Sequence, residues 1–310
     1  MTEGKANLPA SVAARLLQKA KRTGDVYQVV LTSYCFERFL YRLGKSVARD
    51  RFVLKGAMLL RLWSNQPYRA TRDLDLLRKG DGSFEAIRRD IQSICAVPVE
   101  SDALTFDVDA LRIEAIRVDD EYGGTRIILP ATCGKARLML QIDMGVGDAV
   151  WPTPKRCKYP ALLDFPAPEV LAYPQEAVVA EKFEALVVLG DRNSRIKDFF
   201  DLHHLASHFE FDRAIMAEAI AKTFERRGTP IPAEEPIGLL PEYWENPSRP
   251  AQVKAFARRA GLTLADEPGA EFVRVLGAFL SPILADLRQG KPTREGTWPP
   301  GGPWKLDPPR

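Results

Sequence analysis

The sequence predicts an α+β protein in which a mixed α/β segment is followed by a mainly helical one. Between residues 45 and 150, short apolar segments of strand type alternate with amphipathic helices, and then follow one another directly. After residue 165, apolar residues recur at spacings of three and four, which is typical of helices that bury one face. The composition agrees, because 45% hydrophobic and 27% charged residues are ordinary for a globular chain.

Four segments follow from this pattern. Residues 1–44 are predicted to form N-terminal helices that pack on the core, with Gly44 ending the second helix. Residues 45–165 form the α/β domain, in the order FVL strand, AMLLRLW helix, LDLL strand, FEAIRRDIQSIC helix and three further strands, DALRIEAIRV, TRIILPATC and ARLMLQIDMGV. Residues 166–290 form a helical lobe. Residues 291–310 are rich in Pro and Gly, and we expect them to be disordered or draped over the surface.

Bulk properties exclude several classes of protein. A net charge of +3 gives no overall basic field, so nucleic-acid binding would need a local basic patch. No run approaches the ~18 consecutive apolar residues of a membrane span, and the N-terminus does not resemble a signal peptide. The four cysteines are scattered without a CxxC pair, which indicates reduced thiols. We therefore expect a cytoplasmic protein without a membrane partner.

The stretch RATRDLDLL places Asp73 and Asp75 two residues apart in an apolar strand. Residues at this spacing project from the same face of a strand, so the two carboxylates would lie side by side. Neighbouring carboxylates repel each other, but they can bind a divalent cation such as Mg²⁺ through hard oxygen ligands. The alternative is an exposed edge strand whose acids pair with nearby arginines. DxD is common, and the motif alone does not decide between the two.

Two further features favour the cation. Asp143, at the end of the apolar strand LMLQIDMGV, would bring a third carboxylate if this strand pairs beside the DxD strand. It would then complete the metal site or activate an attacking hydroxyl, although it could equally begin the following turn. Upstream, Gly56 in LKGAMLL could let phosphate oxygens approach the backbone near a helix, or could simply form a strand-to-helix turn.

Lys182 lies within an apolar stripe of the helix VVAEKFEALVVL. A lysine in such a position either extends to the surface or reaches an anionic ligand such as a nucleotide phosphate. Asp198 and Asp201, in the next predicted helix, could pair with Lys182 or help to place a substrate. His204 and His208 are four residues apart, but no HExxH motif or cysteine pair supports a zinc site.

Four stretches of the sequence, taken in order, resemble the AbiEii/AbiGii nucleotidyltransferase toxins. They are FVLKGAMLL, RATRDLDLL, LQIDMGV and VVAEKFEALVVLGDRNSRIKDFFDL. These are the toxin half of bacterial type IV toxin–antitoxin and abortive-infection systems. The resemblance extends over roughly residues 30 to 290. It implies a polymerase-β-like nucleotidyltransferase domain with a mixed sheet, followed by a mainly helical C-terminal lobe. It also implies metal-dependent use of a nucleoside triphosphate, GTP or CTP above all, with Mg²⁺ or Mn²⁺.

The resemblance assigns roles to individual residues. Asp73, Asp75 and Asp143 would bind the metal, and together with Lys182 and Asp198 they would form the catalytic set. The nucleotide-binding set would be Lys55, Gly56, Ala57, Thr71, Lys182 and Asp201. Two positions depart from the family pattern, since Ala57 stands where Gly or Ser is usual and Thr71 where Ser is frequent. Ala57 keeps its backbone N–H but offers no hydroxyl, whereas Thr71 preserves one.

Relatives transfer nucleotides to the acceptor end of tRNA and so block translation, which makes tRNA the expected acceptor and an adjacent antitoxin the expected partner. Two other functions fit the same residues. The first is a nucleotidyltransferase that modifies a protein hydroxyl. The second is a nucleotide-binding interaction module without catalysis, which Ala57 keeps open.

Overall fold

The structure is a computed structural model that describes residues 7–64, 69, 71–116, 124–147, 150–290 and 293–308. The chain divides into two compact units. The first contains Met1–Ala149 and Pro154–Tyr173, and the second contains Val150–Thr153 and Pro174–Arg310. The predicted strand DALRIEAIRV ends within residues 117 and 118, and Ala70 interrupts the stretch RATRDLDLL; all three positions lie outside the described residues.

The first unit combines four helices with a sheet of eight strands in its described part. Its elements are α1 (Leu8–Thr23), α2 (Tyr27–Lys45), β1 (Phe52–Lys55), α3 (Met58–Ser64), β2 (Asp73–Arg78), α4 (Phe84–Cys95), β3 (Leu104–Phe106), β4 (Arg112–Ile116), β5 (Gly124–Cys133), β6 (Ala136–Val146), β7 (Lys155–Lys158) and β8 (Glu169–Ala172).

The sheet is mixed. Its strand order is β3-β5-β6-β2-β1-β8-β7, and β4 also pairs with β5. β2 runs parallel to β6, and β1 runs parallel to β8, whereas the other pairs are antiparallel. The parallel pairing of β2 and β6 matters most for function, because it brings two acid-bearing strands side by side.

One face of this sheet is buried. Every second residue is buried along β5 and along β6 from Leu138 to Met144. Ile127, Leu129, Leu140 and Ile142 each have 0% exposure. Strict alternation of this kind is what a sheet covered on one side requires. Helix α2 contacts β6 and β8 and so lies on the buried face.

Gly44 does not end α2 as the sequence predicted. The helix continues to Lys45, and Gly44 lies in its last turn. A Cβ at this position would come within 2.3 Å of the carbonyl oxygen of Glu169 in β8. The glycine therefore allows the helix and the strand backbone to approach closely, which is a tertiary requirement that local sequence does not reveal.

The second unit is mainly helical, and its longest helices pack on one another, α5 against α7 and α6 against α10. Its elements are α5 (Gln175–Leu189), α6 (Ile196–His208), β9 (Phe211–Asp212), α7 (Arg213–Arg227), α8 (Pro241–Trp244), α9 (Arg249–Ala260), α10 (Pro268–Gln289), β10 (Gly296–Trp298) and β11 (Lys305–Leu306). The mixed sheet and the helical C-terminal part confirm the predicted α+β class.

The Pro- and Gly-rich tail differs from the prediction. β10 pairs with β9 and with β11, so residues 296–306 belong to a small antiparallel sheet instead of being disordered. Trp298 is 1% exposed and its ring lies 4.8 Å from that of Phe279. Its indole N–H donates to the carbonyl oxygen of Ala206 at 2.7 Å. Large aromatic side chains thus order a segment whose Pro and Gly content suggested disorder.

Candidate active site

Three carboxylates meet on β2 and β6. The parallel register places Asp75 opposite Asp143 and Asp73 opposite Gln141, so their side chains share the face of the sheet that α2 does not cover. One oxygen from each of Asp73, Asp75 and Asp143 lies within 4.8 Å of the other two. All three are half-buried, and among the described residues they form the one group of this kind.

This donor set fits a divalent cation. Three carboxylate oxygens at such spacing offer the hard ligands that Mg²⁺ and Mn²⁺ accept, and their mutual repulsion favours a bound positive charge. Partial exposure leaves room for waters or phosphate oxygens to complete the coordination. When bound there, a divalent cation would neutralise negative charge on phosphate oxygens and help to orient them.

Arg126, which the sequence analysis did not single out, neutralises part of this charge. Its Nε and Nη2 donate to the two oxygens of Asp143 at 2.9 and 2.8 Å. The Gln141 amide also lies 3.1 Å from Asp143 Oδ2. The hydrogen bond with Asp143 raises the pKa of Arg126 above its usual range. A bidentate guanidinium fixes the orientation of this carboxylate.

A signal for Arg126 exists in the sequence. β5 and β6 form a hairpin with a two-residue turn at Gly134 and Lys135, in which Cys133 pairs with Ala136. Counting seven residues outward from this pair along each strand brings Arg126 opposite Asp143, as the structure has it. Identifying the tight turn would therefore have been sufficient to find the partner of Asp143.

Thr71 holds Asp73. Its hydroxyl lies 2.5 Å from Asp73 Oδ1 and 3.2 Å from the backbone carbonyl oxygen of the same residue. The shorter contact directs the hydroxyl proton to the carboxylate. The predicted contact of Thr71 with phosphate remains a prediction.

Gly56 makes room for Asp75. It has a φ of +71°, and a Cβ built on it would lie 1.9 Å from Asp75 Oδ2. The glycine thus forms the turn between β1 and α3 and leaves the space that the Asp75 carboxylate occupies. Ala57 is buried at 9% exposure, and Lys55 pairs in register with Asp75. Lys55 Nζ lies 5.4 Å from the ring centroid of Tyr173. The nucleotide-binding roles of these three residues remain predictions.

Lys182 forms an ion-pair cluster in the second unit. Its Nζ lies 2.5 Å from Asp198 Oδ1 and 2.8 Å from Asp201 Oδ2, and each of these acids is 2% exposed. Arg195 Nε approaches the other oxygen of Asp198 at 2.8 Å. The pairing of Lys182 with both acids is one of the two arrangements that the sequence left open. Two cations balance two buried anions, which such burial requires.

Comparison with known proteins identifies the family of the chain. The chain matches the sequence profile of the family described as "Nucleotidyl transferase AbiEii toxin, Type IV TA system" over residues 38–276. No protein with curated annotation gives a significant sequence match. Two solved structures are similar in fold at low identity. JHP933 from Helicobacter pylori is 14% identical, with a TM-score of 0.48, covering 86% of this chain and 95% of its own. MenT4, a nucleotidyltransferase toxin from Mycobacterium tuberculosis, is 20% identical, with a TM-score of 0.47, covering 90% of this chain and 99% of its own.

Three carboxylates converge on one face of a mixed sheet, and their oxygen atoms are suited to a divalent cation. The family match extends over more than half of the chain and specifies the class further. The chain belongs to the AbiEii family of nucleotidyltransferase toxins from type IV toxin–antitoxin systems. The family implies a nucleoside triphosphate substrate, a divalent metal and a cognate antitoxin. None of the described helices is long and apolar enough to cross a membrane.

Proposed function

We propose that this protein transfers a nucleotide from a nucleoside triphosphate to a hydroxyl group of RNA, with Mg²⁺ or Mn²⁺ held by Asp73, Asp75 and Asp143. The convergence of these three carboxylates on one face of the sheet is the observation that carries the proposal. Family membership supplies the reaction class. We further propose that the protein works in the cytoplasm, where both RNA and nucleotides are available.

The transfer breaks a phosphoanhydride bond of the triphosphate and forms a phosphodiester bond to the acceptor. The oxygen of the acceptor hydroxyl forms a bond to the α-phosphorus of the triphosphate, and the bond from that phosphorus to the oxygen bridging the β-phosphate breaks. Pyrophosphate leaves with the electron pair of the broken bond. Asp143 accepts or orients the proton of the acceptor hydroxyl, because its carboxylate faces the other two acids and is held in place by Arg126.

The remaining residues position the substrate. Thr71 keeps Asp73 oriented through its hydroxyl, and Gly56 leaves the space that Asp75 occupies. We propose that the backbone around Lys55, Gly56 and Ala57 contacts the triphosphate. In the second unit, the cluster of Lys182, Asp198 and Asp201 would contribute to nucleotide binding, with Lys182 as its phosphate ligand.

The finer substrate assignment follows the family resemblance. We propose that GTP or CTP is the donor and that the 3′ end of tRNA is the acceptor, so that the modified tRNA no longer supports translation. The cognate antitoxin would prevent this outcome in the uninduced cell.

Incubation of the purified protein with Mg²⁺, total tRNA and each α-labelled nucleoside triphosphate in turn tests the proposal. We expect label in the tRNA band with wild type, and none with Asp75→Asn or with tRNA whose 3′-terminal diol has been oxidised. Asp109→Asn, which changes an exposed acid of the same unit, is the matched control and should label tRNA normally. Label entering protein instead would redirect the proposal to a protein hydroxyl. Absence of label from every substrate would contradict it.

A further inference from the structure

The face of the sheet that carries the three acids continues as an open surface. On β5 and β6 the residues that alternate with the buried ones remain half-buried or exposed over the whole length of both strands. Met139 is 58% exposed, so this face presents an apolar side chain to solvent. We define the outer sheet face by six residues of β4, β5 and β6: Arg112, Ile128, Pro130, Thr132, Arg137 and Met139.

The outer sheet face directly adjoins the acid cluster, which is formed by Asp73, Asp75 and Asp143. Arg112 pairs with Ile128, and Ile128 pairs with Gln141, which is two residues before Asp143 on the same strand and the same face. Met139 and Arg137 continue this face of β6. At ~3.4 Å per residue, Arg137 lies about 20 Å along the strand from Asp143, which is enough to hold several nucleotides.

The arginines on this face are available for a ligand. Among the described residues, neither Arg112 nor Arg137 forms an ion pair or side-chain hydrogen bond, and the same is true of Lys135 in the adjoining turn. Helix α1 also carries four basic residues, Arg15, Lys19, Lys21 and Arg22. Arg15 pairs with Asp164 at 2.5 Å, and the Lys19 ammonium donates to the carbonyl oxygen of Leu162 at 3.1 Å. Two of these four residues thus contact other parts of the same unit, whereas no ion pair of Arg112 or Arg137 occurs among the described residues.

We propose that the outer sheet face binds the single-stranded 3′ end of the RNA acceptor and leads its terminal hydroxyl to the acid cluster. This inference rests on the proposed function and specifies where the acceptor lies. Guanidinium groups contact phosphates and stack on unpaired bases, and an exposed apolar side chain between them can cover a base. Charge complementarity favours RNA, because the phosphates of a single strand laid along this face are counterparts for the side chains of Arg112 and Arg137.

Charge reversal at Arg112 and at Arg137 tests the inference. The binding of a fluorescent single-stranded RNA ending in CCA is measured for Arg112→Glu, Arg137→Glu and wild type, together with the KM for tRNA in the transfer reaction. Each variant should raise both the Kd and the KM about tenfold, since each loses a charged contact and gains a repulsive one. The KM for the nucleotide and the kcat at saturating tRNA should stay unchanged.

Arg89→Glu is the matched control, because Arg89 is exposed on α4 and no ion pair of it occurs among the described residues. The inference is overturned if wild type transfers nucleotides to RNA and both sheet variants bind and use RNA as Arg89→Glu does. If wild type binds RNA through these arginines but labels none, the proposed function fails while the binding surface stands. Light scattering of Met139→Glu gives a separate check, because loss of a wild-type dimer in this variant would identify the face as a protein interface and overturn RNA binding there.

Discussion

Gly56 and Asp75 constrain each other at the scale of single residues. The positive φ of Gly56 favours glycine in any case, but the 1.9 Å approach of a Cβ to the Asp75 carboxylate adds a second requirement. Substitution by alanine should therefore lower stability more at Gly56 than at a glycine that only forms a turn.

Gly56→Ala is expected to lower stability by more than the backbone strain of about 1 kcal/mol and to weaken the binding of Mn²⁺ measured by calorimetry. Gly24→Ala provides the control, because Gly24 has a φ of +76° and nothing within 4 Å of the added Cβ. It should show the strain alone and bind Mn²⁺ as wild type does. Equal stability losses together with unchanged Mn²⁺ affinity in both variants would show that Asp75 does not depend on Gly56.

When no cation is bound, Arg126 balances part of the negative charge of the acid cluster. Arg126→Met removes both hydrogen bonds to Asp143 and should lower the free energy of unfolding by about 1 kcal/mol. A divalent cation can replace the lost positive charge, so adding Mn²⁺ should raise the Tm of this variant by more than that of wild type. Arg89→Met should behave as wild type. An identical Mn²⁺-induced rise in Tm for Arg126→Met and wild type would contradict this role.

Glu37 gives a pH dependence of stability that is independent of catalysis. Its side chain is 0% exposed, and burial raises its pKa from 4.5 to about 7 despite the hydrogen bond from the Leu162 N–H at 2.6 Å. Between these two pH values the folded protein binds more protons than the unfolded chain. The stabilising contribution of protonated Glu37 is therefore complete below pH 4.5 and is lost as pH rises towards 7.

The free energy of unfolding of wild type relative to Glu37→Gln should fall by about 3 kcal/mol between pH 4.5 and 7. Denaturant unfolding at several pH values measures this difference, and comparison with the variant removes contributions from other groups. Glu100→Gln, at an exposed acid, should show no such trend. A wild-type-to-variant difference that is constant with pH would show that Glu37 ionises normally in the folded protein.

Residue spacing predicted that Asp73 and Asp75 lie together, but it could not predict how Asp143 and Gly56 are placed beside them. The two-residue interval of Asp73 and Asp75 specifies a shared face on any strand, whatever the fold. The approach of Asp143 depends on β6 lying parallel beside β2, which a resemblance can suggest but local pattern cannot establish. The packing of Gly56 beneath Asp75 depends on three-dimensional proximity alone.

At the scale of elements, the C-terminal strands show where composition misleads. Pro and Gly content predicted a tail that is disordered or draped over the surface, whereas Trp298 and Trp304 both pack on α10 through Phe279. Gly302, with a φ of +72°, lies where a Cβ would meet the Trp298 ring at 2.4 Å. The glycines thus shape a tight connection between two short strands, and the tryptophans supply the burial that orders it.

Trp298→Ala is expected to destabilise the second unit by about 3–5 kcal/mol, because it removes a fully buried aromatic ring and an indole hydrogen bond. Leu306→Ala, at a residue of the same sheet that is 43% exposed, should cost less than 1 kcal/mol. Thermal unfolding of both variants measures the difference. A Trp298→Ala protein as stable as Leu306→Ala would indicate that the tail contributes nothing to folding.

For the molecule as a whole, the α+β class follows from the pattern of apolar residues, and the family resemblance follows from the order of four stretches that are each ambiguous alone. The family match over residues 38–276 confirms the class, and the mixed sheet with its helical C-terminal part confirms the architecture. The roles of Lys182, Asp198 and Asp201 stay predictions, since their ion pairs serve stability and nucleotide binding equally well.

We propose that the protein transfers a nucleotide and not a terminal phosphate. The most direct measurement compares α-labelled and γ-labelled samples of the same nucleoside triphosphate, incubated with tRNA, Mg²⁺ and either wild type or Asp73→Asn. We expect the α-label to enter tRNA and the γ-label to appear in pyrophosphate, both with wild type alone. Transfer of the γ-label to tRNA, or equal α-labelling by Asp73→Asn, would contradict it.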